Sequence, residues 1–178
     1  RSPPWPRQPP HQLPLVSISA DQRRAVADLN LNWVATVPHG LELGAYLEHP
    51  RSEGGHLAFV GRVCAEKGLD TAITVARSCG RPLRIAAKVD PMDVEYFETA
   101  IEPLLGDDTL FVGEIGEDRK PDFFASAAAT LFPINWPEPF GIVMIESLAA
   151  GTPVIALRNG SVPEILRDGV TGFICDSA

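Results

Sequence analysis

The chain has 178 residues, of which 45% are hydrophobic and 21% charged, so it is long and apolar enough to bury a core. Its formal net charge of -8 argues against a broad surface for nucleic acid or an anionic membrane, although a local basic pocket for phosphate is compatible with it. No apolar run approaches the roughly 20 residues needed to span a bilayer, and the three cysteines lack CxxC or Cys/His spacing, which argues against a metal site.

The N-terminal third of the sequence is irregular. Residues 1–14 are rich in proline and are expected to be extended or disordered. They contain neither a Met nor the regions of a signal peptide, so the sequence is expected to come from the middle of a longer protein. LVSIS (15–19) and WVATV (33–37) are strand candidates without an obvious partner nearby, and Ser19 is placed to cap a helix over ADQRRAVADL. Residues 44–56 are polar and contain two adjacent glycines, which predicts a linker.

From His56 onward, apolar strands alternate regularly with helices. The near-continuous apolar runs are typical of strands covered on both faces of a parallel sheet. Gly151 is expected to end one helix, and Ser161 and Glu164 have capping-box spacing at the start of another. The predicted fold class is therefore α/β, a Rossmann-like parallel sheet with helices on both faces, whose ligands bind beyond the carboxyl ends of the strands. The predicted strands are HLAFVGR, PLRIAAK, TLFVGEI, TLFPI, PVIAL and VTGFIC. The predicted helices are GLDTAITVARSCG, PMDVEYFETAIEPLL, DRKPDFFASAAA, FGIVMIESLAA and SVPEIL.

Two cations follow the first strand of this alternation, in GRVCAEKG. Arg62 and Lys67 lie around a glycine turn beside a helix start, an arrangement suited to a diphosphate. The GxxxxGK[ST] order of a P-loop and the GxGxxG of a dinucleotide-binding dehydrogenase are both absent. The alternative, two solvated charges on a surface turn, stays open.

The segment NWPEPFG follows the fourth strand and contains Glu138 between two prolines, which hold its backbone extended. A helix is expected to start at Pro139 or Phe140, with Gly141 in its first turn allowing close approach of a ligand. The free amides of Gly141, Ile142 and Val143 would then form a site for an anion or for sugar hydroxyls.

Glu146 is the one charge in the apolar helix that follows, and a buried carboxylate needs partners. It lies two turns inside the helix, roughly 11–12 Å beyond the helix start near Glu138. That separation could bracket a nucleotide-sugar and is too wide for a carboxylate pair that shares one scissile bond, for which roughly 5–9.5 Å is expected. A purely structural ion pair, for example with Arg158, is the alternative.

Taken in order, these segments resemble the family 4 glycosyltransferases, retaining enzymes of the GT-B fold. The resemblance runs from about Val16 to the last residue and rests on GRVCAEKG, EPFGIVMIESLAAGTPVIA, GSVPEIL and DGVTGF. Glu138 and Glu146 fit the E-x7-E motif of that family. The resemblance implies that residues 1–55 are the tail of an N-terminal acceptor domain and an interdomain linker. It implies that residues 56–178 are a nucleotide-sugar (donor) binding domain, truncated at its C-terminus.

The resemblance also implies a role for each candidate residue, with Glu138 as the candidate catalytic residue. The donor diphosphate would contact Arg62, Lys67 and the amides of Gly141, Ile142 and Val143, and the donor sugar would contact Glu138, Phe140 and Gly141. The ribose would contact Glu146, and the base would contact Ala87, Lys88, Glu114 and Ile115. The family often has glycine where this chain has Ala87, and something like NGID where it has PHGLE, so the base site and the interdomain junction depart from the pattern.

The implied reaction is transfer of a hexosyl unit from a UDP-, GDP- or ADP-sugar to an unidentified acceptor, with retention of configuration. Front-face attack would let the leaving diphosphate assist deprotonation of the acceptor. The sequence lacks a DxD-type cluster at a strand end, so neither a metal nor another cofactor is implied. The partners expected are the nucleotide-sugar and the missing acceptor-binding domain, without which the chain is expected to be inactive. The expected location is cytoplasmic, with peripheral attachment to the inner face of the membrane through the missing domain as an alternative.

Two other functions remain open at the level of the sequence. A UDP-sugar 2-epimerase of related architecture also binds a nucleotide-sugar between two domains, and a non-catalytic nucleotide-sugar-binding module would keep the phosphate site without needing Glu138. A lone flavodoxin-like domain explains the alternation of strands and helices, but not the two glutamates together with the cationic turn.

Overall fold

The computed structural model describes residues 13–47 and 54–178 of the chain. Its first two strands, β1 (Leu15–Ser17) and β2 (Trp33–Thr36), are parallel and pair with each other, so the prediction that they lack a nearby partner is wrong. Helix α1 (Ala20–Arg24) lies between them and is shorter than predicted. The capping prediction is confirmed, because the Ser19 hydroxyl accepts a hydrogen bond from the Gln22 N–H at 3.0 Å.

The predicted linker over residues 44–56 is only partly irregular. Its first residues form the single helical turn α2 (Gly44–Leu47), and Tyr46 is buried there, 6% exposed, against a cluster that includes Phe124. Residues 48–53 of the predicted linker, like the proline-rich residues 1–12, lie outside the described residues. The helical turn α2 is therefore packed against helices of the main body rather than separate from it.

A six-stranded parallel sheet with helices between its strands forms the main body, which confirms the predicted fold class. Its strand order is β5-β4-β3-β6-β7-β8, so the order reverses between β3 and β6. The strands are β3 (Leu57–Arg62), β4 (Leu83–Lys88), β5 (Thr109–Gly113), β6 (Ala129–Phe132), β7 (Val154–Leu157) and β8 (Gly172–Cys175). The helices are α3 (Leu69–Ser78), α4 (Val94–Tyr96, continued by a π-helical turn over Phe97–Ile101), α5 (Lys120–Ala125), α6 (Ile142–Ala149) and α7 (Val162–Ile165).

Two hydrophobic clusters pack against the large sheet, one mainly on β3 and β4 and the other on β6 and β7. Helix α3 packs against β3 and β4, while α6 and α7 pack against β6 and β7. Leu69, Ala72, Ile73 and Ala76 of α3 are almost completely buried and have the i, i+3, i+4, i+7 spacing of one helical face. This packing fixes the ends of β3 and β6, whose following loops contain the candidate site residues.

The predicted capping box at Ser161 and Glu164 is wrong. The Ser161 hydroxyl instead donates to the Phe140 carbonyl at 2.9 Å, and the Glu164 carboxylate accepts from the N–H groups of Ala20 and Asp21 at 2.8 and 2.7 Å. A carboxylate is favourable at a helix N-terminus, where backbone N–H groups have no partner within the helix. Glu164 therefore attaches the start of α1 to α7.

His56, the residue before β3, links folding to pH. It is 8% exposed, and its Nε2 has no hydrogen-bond partner among the described residues. Burial, and secondarily the charge of Arg84, lower the pKa of His56 below 6.5. The unfolded chain takes up this proton near pH 6.5 and the folded chain only at lower pH, so the unfolded state binds more protons in that window.

We expect the free energy of unfolding to fall as the pH is lowered below about 6.5. His56→Phe, which removes the titrating ring nitrogen, should reduce that slope by at most about 1.4 kcal/mol per pH unit. Urea unfolding of both proteins between about pH 7 and pH 5 measures it. Equal slopes would show that His56 does not contribute to the acid sensitivity.

Candidate functional site

Two adjoining cavities lie where the strand order reverses, beyond the carboxyl ends of β3 and β6. The first, the Glu138 cavity, has a volume of about 310 Å³, and the second, the Arg62 cavity, about 280 Å³; both are lined by Val60, Gly61 and Val143. The first is also lined by Lys67, Glu138, Phe140, Gly141 and Ile142, and the second by Arg62, Ala87, Lys88, Glu114 and Ile115. The structure thus places every predicted site residue except Glu146 on the wall of one cavity or the other.

Glu138 and Lys67 are in direct contact in the Glu138 cavity. The Lys67 ammonium lies 2.5 Å from Oε2 of Glu138, and the indole N–H of Trp136 donates to the same oxygen at 3.0 Å. The ammonium also lies 5.6 Å from the centre of the Trp136 ring. Lys67 is therefore not a solvated surface charge but a cation held by the candidate catalytic carboxylate, which is itself only 8% exposed.

Backbone contacts between two loops bring this pair together. Gly68 has a positive φ of 68°, and a Cβ there would lie 2.2 Å from the Pro133 carbonyl oxygen, so only glycine allows the loop after β6 to pass so close. Asn135 then donates its backbone N–H to the Glu66 carbonyl at 3.0 Å. Lys67 lies between Glu66 and Gly68, so these contacts direct it towards the loop that contains Glu138.

Helix α6 begins later than predicted. Its first residue is Ile142, and Gly141 precedes it with a φ of 75°. A Cβ on Gly141 would lie 2.8 Å from Cε of Met144 and 3.0 Å from Cζ of Phe132, so glycine is required both by its conformation and by its neighbours. The first amides of α6 have no partner within the helix and border the Glu138 cavity, which gives that cavity donors for an anion.

Glu146 is 2% exposed and forms a buried ion pair, but not with Arg158. Nζ of Lys120 lies 2.9 Å from Oε1 of Glu146, whereas Arg158 pairs with Asp176 at 2.6 Å. Oε2 of Glu146 is buried and has no hydrogen-bond partner among the described residues. Lys120 lines the Arg62 cavity, so Glu146 lies behind it and reaches the site through the lysine.

The charge of Glu146 also affects its buried neighbour Tyr46. Burial, and then the negative charge of Glu146, raise the pKa of Tyr46 to about 12, so its phenol stays protonated at neutral pH. Lys120 is shared with a second acid, because its Nζ lies 2.6 Å from Oε1 of Glu117. One lysine therefore compensates a buried and an exposed carboxylate.

Arg62 is half exposed at the rim of its cavity and belongs to an acidic surface network. Its guanidinium lies 3.6 Å from Asp93 and 3.9 Å from Asp90, and Lys88 lies 2.8 Å from Asp90. Ala87 is only 2% exposed, so its methyl group forms part of the wall rather than projecting into the cavity. Arg62 and Lys88 are thus about half exposed cations at the rim of the Arg62 cavity, each paired with an acidic side chain.

Several residues on the cavity walls had not been predicted. His39 lies edge-on to the Phe140 ring at 5.1 Å and brings the N-terminal segment to the Glu138 cavity, and Trp136 holds Glu138. The nearest sequence signals were PHGLE, whose His39 departs from the family pattern, and the Trp in NWPEPFG. The unpredicted wall residues are Val60 and Gly61 in both cavities, Ile18, His39, Phe132, Trp136 and Pro139 in the Glu138 cavity, and Ala86, Glu117 and Lys120 in the Arg62 cavity.

The family model for glycosyl transferases group 1 matches residues 49–178, which include all residues lining the Arg62 cavity and all those lining the Glu138 cavity except Ile18 and His39. The chain belongs to this glycosyltransferase family. Among its relatives, an uncharacterised glycosyltransferase of Methanocaldococcus jannaschii is 29% identical over 82% of this chain and 37% of its own length. A D-inositol 3-phosphate glycosyltransferase of Acidothermus cellulolyticus is 31% identical over 70% of this chain and 30% of its own length.

Solved structures share the fold over most of this chain. Anabaena HepE, in complex with UDP and glucose, superimposes with a TM-score of 0.79 at 19% identity, covering 92% of this chain and 49% of that one. AviGT4, a glycosyltransferase involved in avilamycin A biosynthesis, gives a TM-score of 0.75 at 29% identity, covering 92% of this chain and 50% of that one. The chain therefore spans about half the length of these structures, and about a third of the two relatives.

Within residues 13–47 and 54–178, no group of three or more His, Cys, Asp or Glu side chains is arranged to hold a metal ion. In the same part of the chain, no helix combines the length and the apolar character of a membrane span.

Proposed function

We propose that this chain is the donor-binding half of a retaining, family 4 glycosyltransferase that transfers a hexosyl unit from a nucleotide-diphosphate sugar. One observation carries the proposal: Lys67, Glu138 and the free amides of α6 line one cavity at the strand reversal, and a second cavity adjoins it. The HepE structure is a complex with UDP and glucose, which fits a donor of this class.

In the proposed complex, the diphosphate lies between the two cavities. Lys67 and the amides of Gly141, Ile142 and Val143 would contact it from one side, and Arg62 from the other. The sugar would extend into the Glu138 cavity against Phe140 and Gly141. The base would enter the Arg62 cavity beside Ala87, Lys88, Glu114 and Ile115.

Glu138 and Glu146 have different surroundings, which supports two contacts along one donor rather than a shared acid/base pair. Glu138 lines its cavity, whereas Glu146 lies behind Lys120 at the other one. A ribose hydroxyl would supply the hydrogen bond that Oε2 of Glu146 lacks, once Lys120 moves aside. Glu138 would accept hydrogen bonds from the hydroxyls of the sugar, next to the bond that breaks.

The ion pair of Lys67 with Glu138 suggests an order of events. Arrival of the diphosphate offers Lys67 a second, more highly charged partner and loosens its hold on Glu138. The released carboxylate then accepts from the sugar. Front-face attack by the acceptor would break the bond between sugar and phosphate, with the leaving diphosphate taking the acceptor proton, so neither glutamate acts as nucleophile.

The proposal includes a domain that this chain does not contain. Residues 1–55 would be the tail of an N-terminal acceptor-binding domain with its linker, and residues 56–178 the donor-binding domain. That partner domain would supply the acceptor site and the second wall of the cleft, so the isolated chain binds donor weakly and transfers nothing. The proposed location is cytoplasmic, with attachment to the inner face of the membrane through that domain as an alternative.

A thermal-shift screen with UDP, GDP and ADP tests the donor site in the chain itself. A nucleotide at about 100 times its dissociation constant stabilises the native state by about 2.7 kcal/mol, which for a chain of this size corresponds to roughly 5–10 °C. We expect one of the three to give such a shift at millimolar concentration. Lys67→Ala should abolish the shift, because it removes the cation placed for the diphosphate.

Arg167→Ala is the matched control, since it removes an exposed cation that does not line either cavity. It should leave the nucleotide shift unchanged. If no nucleotide stabilises the unmodified chain, the donor-site proposal is wrong; if Lys67→Ala shifts as much as the parent, the diphosphate lies elsewhere.

A further inference from the structure

Three consecutive residues after β7 contact the loop of residues 133–141, here called the Glu138 loop. The side-chain amide of Asn159 donates to the Ile134 carbonyl at 2.7 Å. The backbone N–H of Ser161 donates to the Glu138 carbonyl, and its hydroxyl donates to the Phe140 carbonyl, both at 2.9 Å. The segment therefore holds the Glu138 loop near its start, at its centre and near its end.

We propose that Gly160 and Ser161 are positioning residues that set the place of the Glu138 carboxylate and, through it, of the donor sugar. The second half of this statement rests on the proposed function, because it assigns the sugar to Glu138. The first half concerns the free protein and stands on backbone contacts alone. Neither residue touches the carboxylate, so both act through the Glu138 loop.

The Glu138 loop depends on outside donors because it contains few of its own. Pro137 and Pro139 have no N–H, and the Glu138 N–H is already bound to the Trp136 carbonyl at 2.8 Å. The buried carbonyls of Glu138 and Phe140 still require partners, since an unpaired buried carbonyl is costly. Ser161, which is completely buried, supplies both donors.

Gly160 permits a contact between two backbones that no other residue would allow. A Cβ at this position would lie 2.3 Å from the nitrogen and 2.4 Å from the oxygen of Glu138, and 2.8 Å from the carbonyl carbon of Pro137. All three are main-chain atoms, so the clash cannot be relieved by turning a side chain. Its φ of 55° adds a smaller conformational preference for glycine.

The main chain and the side chain of Glu138 are held by different residues. The segment from Asn159 to Ser161 fixes the main chain of Glu138, while Lys67 and Trp136 fix its side chain. A shift of the Glu138 main chain relative to Lys67 is therefore expected to change the hydrogen bond between the Trp136 indole and the Glu138 carboxylate. That bond offers a readout of the carboxylate position that needs no ligand.

The decisive experiment follows the Trp136 indole N–H by two-dimensional ¹⁵N–¹H NMR, with the resonance assigned by Trp136→Phe. Ser161→Ala should displace this resonance and accelerate its hydrogen exchange by at least about threefold, because the loop loses one of its anchors. Thr152→Val is the matched control: it also deletes a completely buried hydroxyl bonded to a carbonyl, that of Phe124 at 2.7 Å. It should leave the Trp136 resonance in place.

Gly160→Ala should produce a larger displacement than Ser161→Ala. Gly80→Ala is its control, because Gly80 has a similar φ of 61° but nothing within 4 Å of an added Cβ. The difference between the two alanine variants isolates the clash from the conformational strain. If Gly160→Ala fails to fold while Gly80→Ala folds, the clash is confirmed and Ser161→Ala still reports on position.

A second measurement connects position to the sugar. Titration with UDP and with UDP-glucose should show that Ser161→Ala weakens the binding of the sugar nucleotide by about three- to tenfold more than that of UDP. If the Trp136 resonance is unmoved in a folded Ser161→Ala chain, the positioning role is wrong. If the resonance moves but the parent binds none of UDP, GDP and ADP, the positioning of the carboxylate stands and the donor-site proposal fails.

Discussion

Replacing Lys120 by methionine is expected to lower the free energy of unfolding by about 3–5 kcal/mol. The substitution keeps a long, flexible side chain but leaves the Glu146 carboxylate, which is 2% exposed, without its cation. One oxygen of that carboxylate already has no partner among the described residues, so the loss of Lys120 would leave the second one unpaired too. Urea unfolding monitored by circular dichroism measures the difference.

Two further variants separate the buried charge from the loss of packing. The double variant Lys120→Met/Glu146→Leu removes both charges and should recover most of the stability, because a buried ion pair is often replaceable by apolar residues. Arg158→Ala breaks the exposed pair with Asp176 and should cost at most about 1 kcal/mol. A loss below about 1 kcal/mol in Lys120→Met would show that the Glu146 carboxylate does not depend on the lysine for its stability in the folded chain.

Deprotonation of Lys120 should lower the free energy of unfolding at alkaline pH. Burial alone would lower the pKa of Lys120, but hydrogen bonds and charges from Glu117 and Glu146 outweigh it and raise the pKa above 10.5. The folded chain thus keeps the proton to a higher pH than the unfolded chain. The contribution is complete below about pH 10.5 and is lost as the pH rises through the folded value.

The main sheet could be predicted from the sequence because its strands are short apolar runs separated by glycine and proline. Both signals are local, and each is repeated at every crossover. The N-terminal strands were harder to interpret, since β1 and β2 pair only with each other and show no periodicity that identifies a partner. Helix α1 was overestimated because its apolar spacing continues past Arg24, whereas the helix is interrupted before Val26, which has a φ of -128°, and Ala27–Leu29 form a separate 3₁₀ turn.

The walls of the site could be predicted only as far as the topology fixes them. Residues that follow parallel strands share one edge of the sheet, so Arg62, Lys67 and Glu138 could be expected together before any contact was known. The pairing of charged side chains, in contrast, depends on the tertiary structure. Lys120 meets Glu146 because α5 packs against α6, and no sequence spacing encodes that contact.

The capping-box error at Ser161 has the same cause. The spacing of Ser161 and Glu164 fits a local motif, but stronger tertiary partners are available to both side chains. Ser161 binds the Phe140 carbonyl, and Glu164 binds the first turn of α1. A locally plausible motif was thus replaced by two contacts that join distant parts of the chain.

Glu138→Gln in the protein with its acceptor-binding domain is expected to lower kcat/KM for sugar transfer by about 10²–10³, the range seen when one charge-stabilising group at a reaction centre is lost. The variant keeps the shape of the side chain and removes the negative charge that would face the sugar. Binding of the bare nucleotide should be retained or tightened, because Lys67 no longer has to leave a carboxylate to meet the diphosphate. Radiolabelled transfer and calorimetric titration with UDP, GDP or ADP measure the two effects.

The loss of transfer together with retained or tighter nucleotide binding distinguishes a glycosyltransferase from the other candidate functions. A misfolded variant would lose nucleotide binding as well as transfer, whereas Glu98→Gln, an exposed acid away from both cavities, should change neither. A non-catalytic nucleotide-sugar module would have no turnover to lose, and an epimerase would release an altered sugar nucleotide without any acceptor. Transfer that survives at the parent rate would remove Glu138 from the reaction centre. The pair with Lys67 would then be structural, and the cavity would still bind a diphosphate but would need another group beside the sugar.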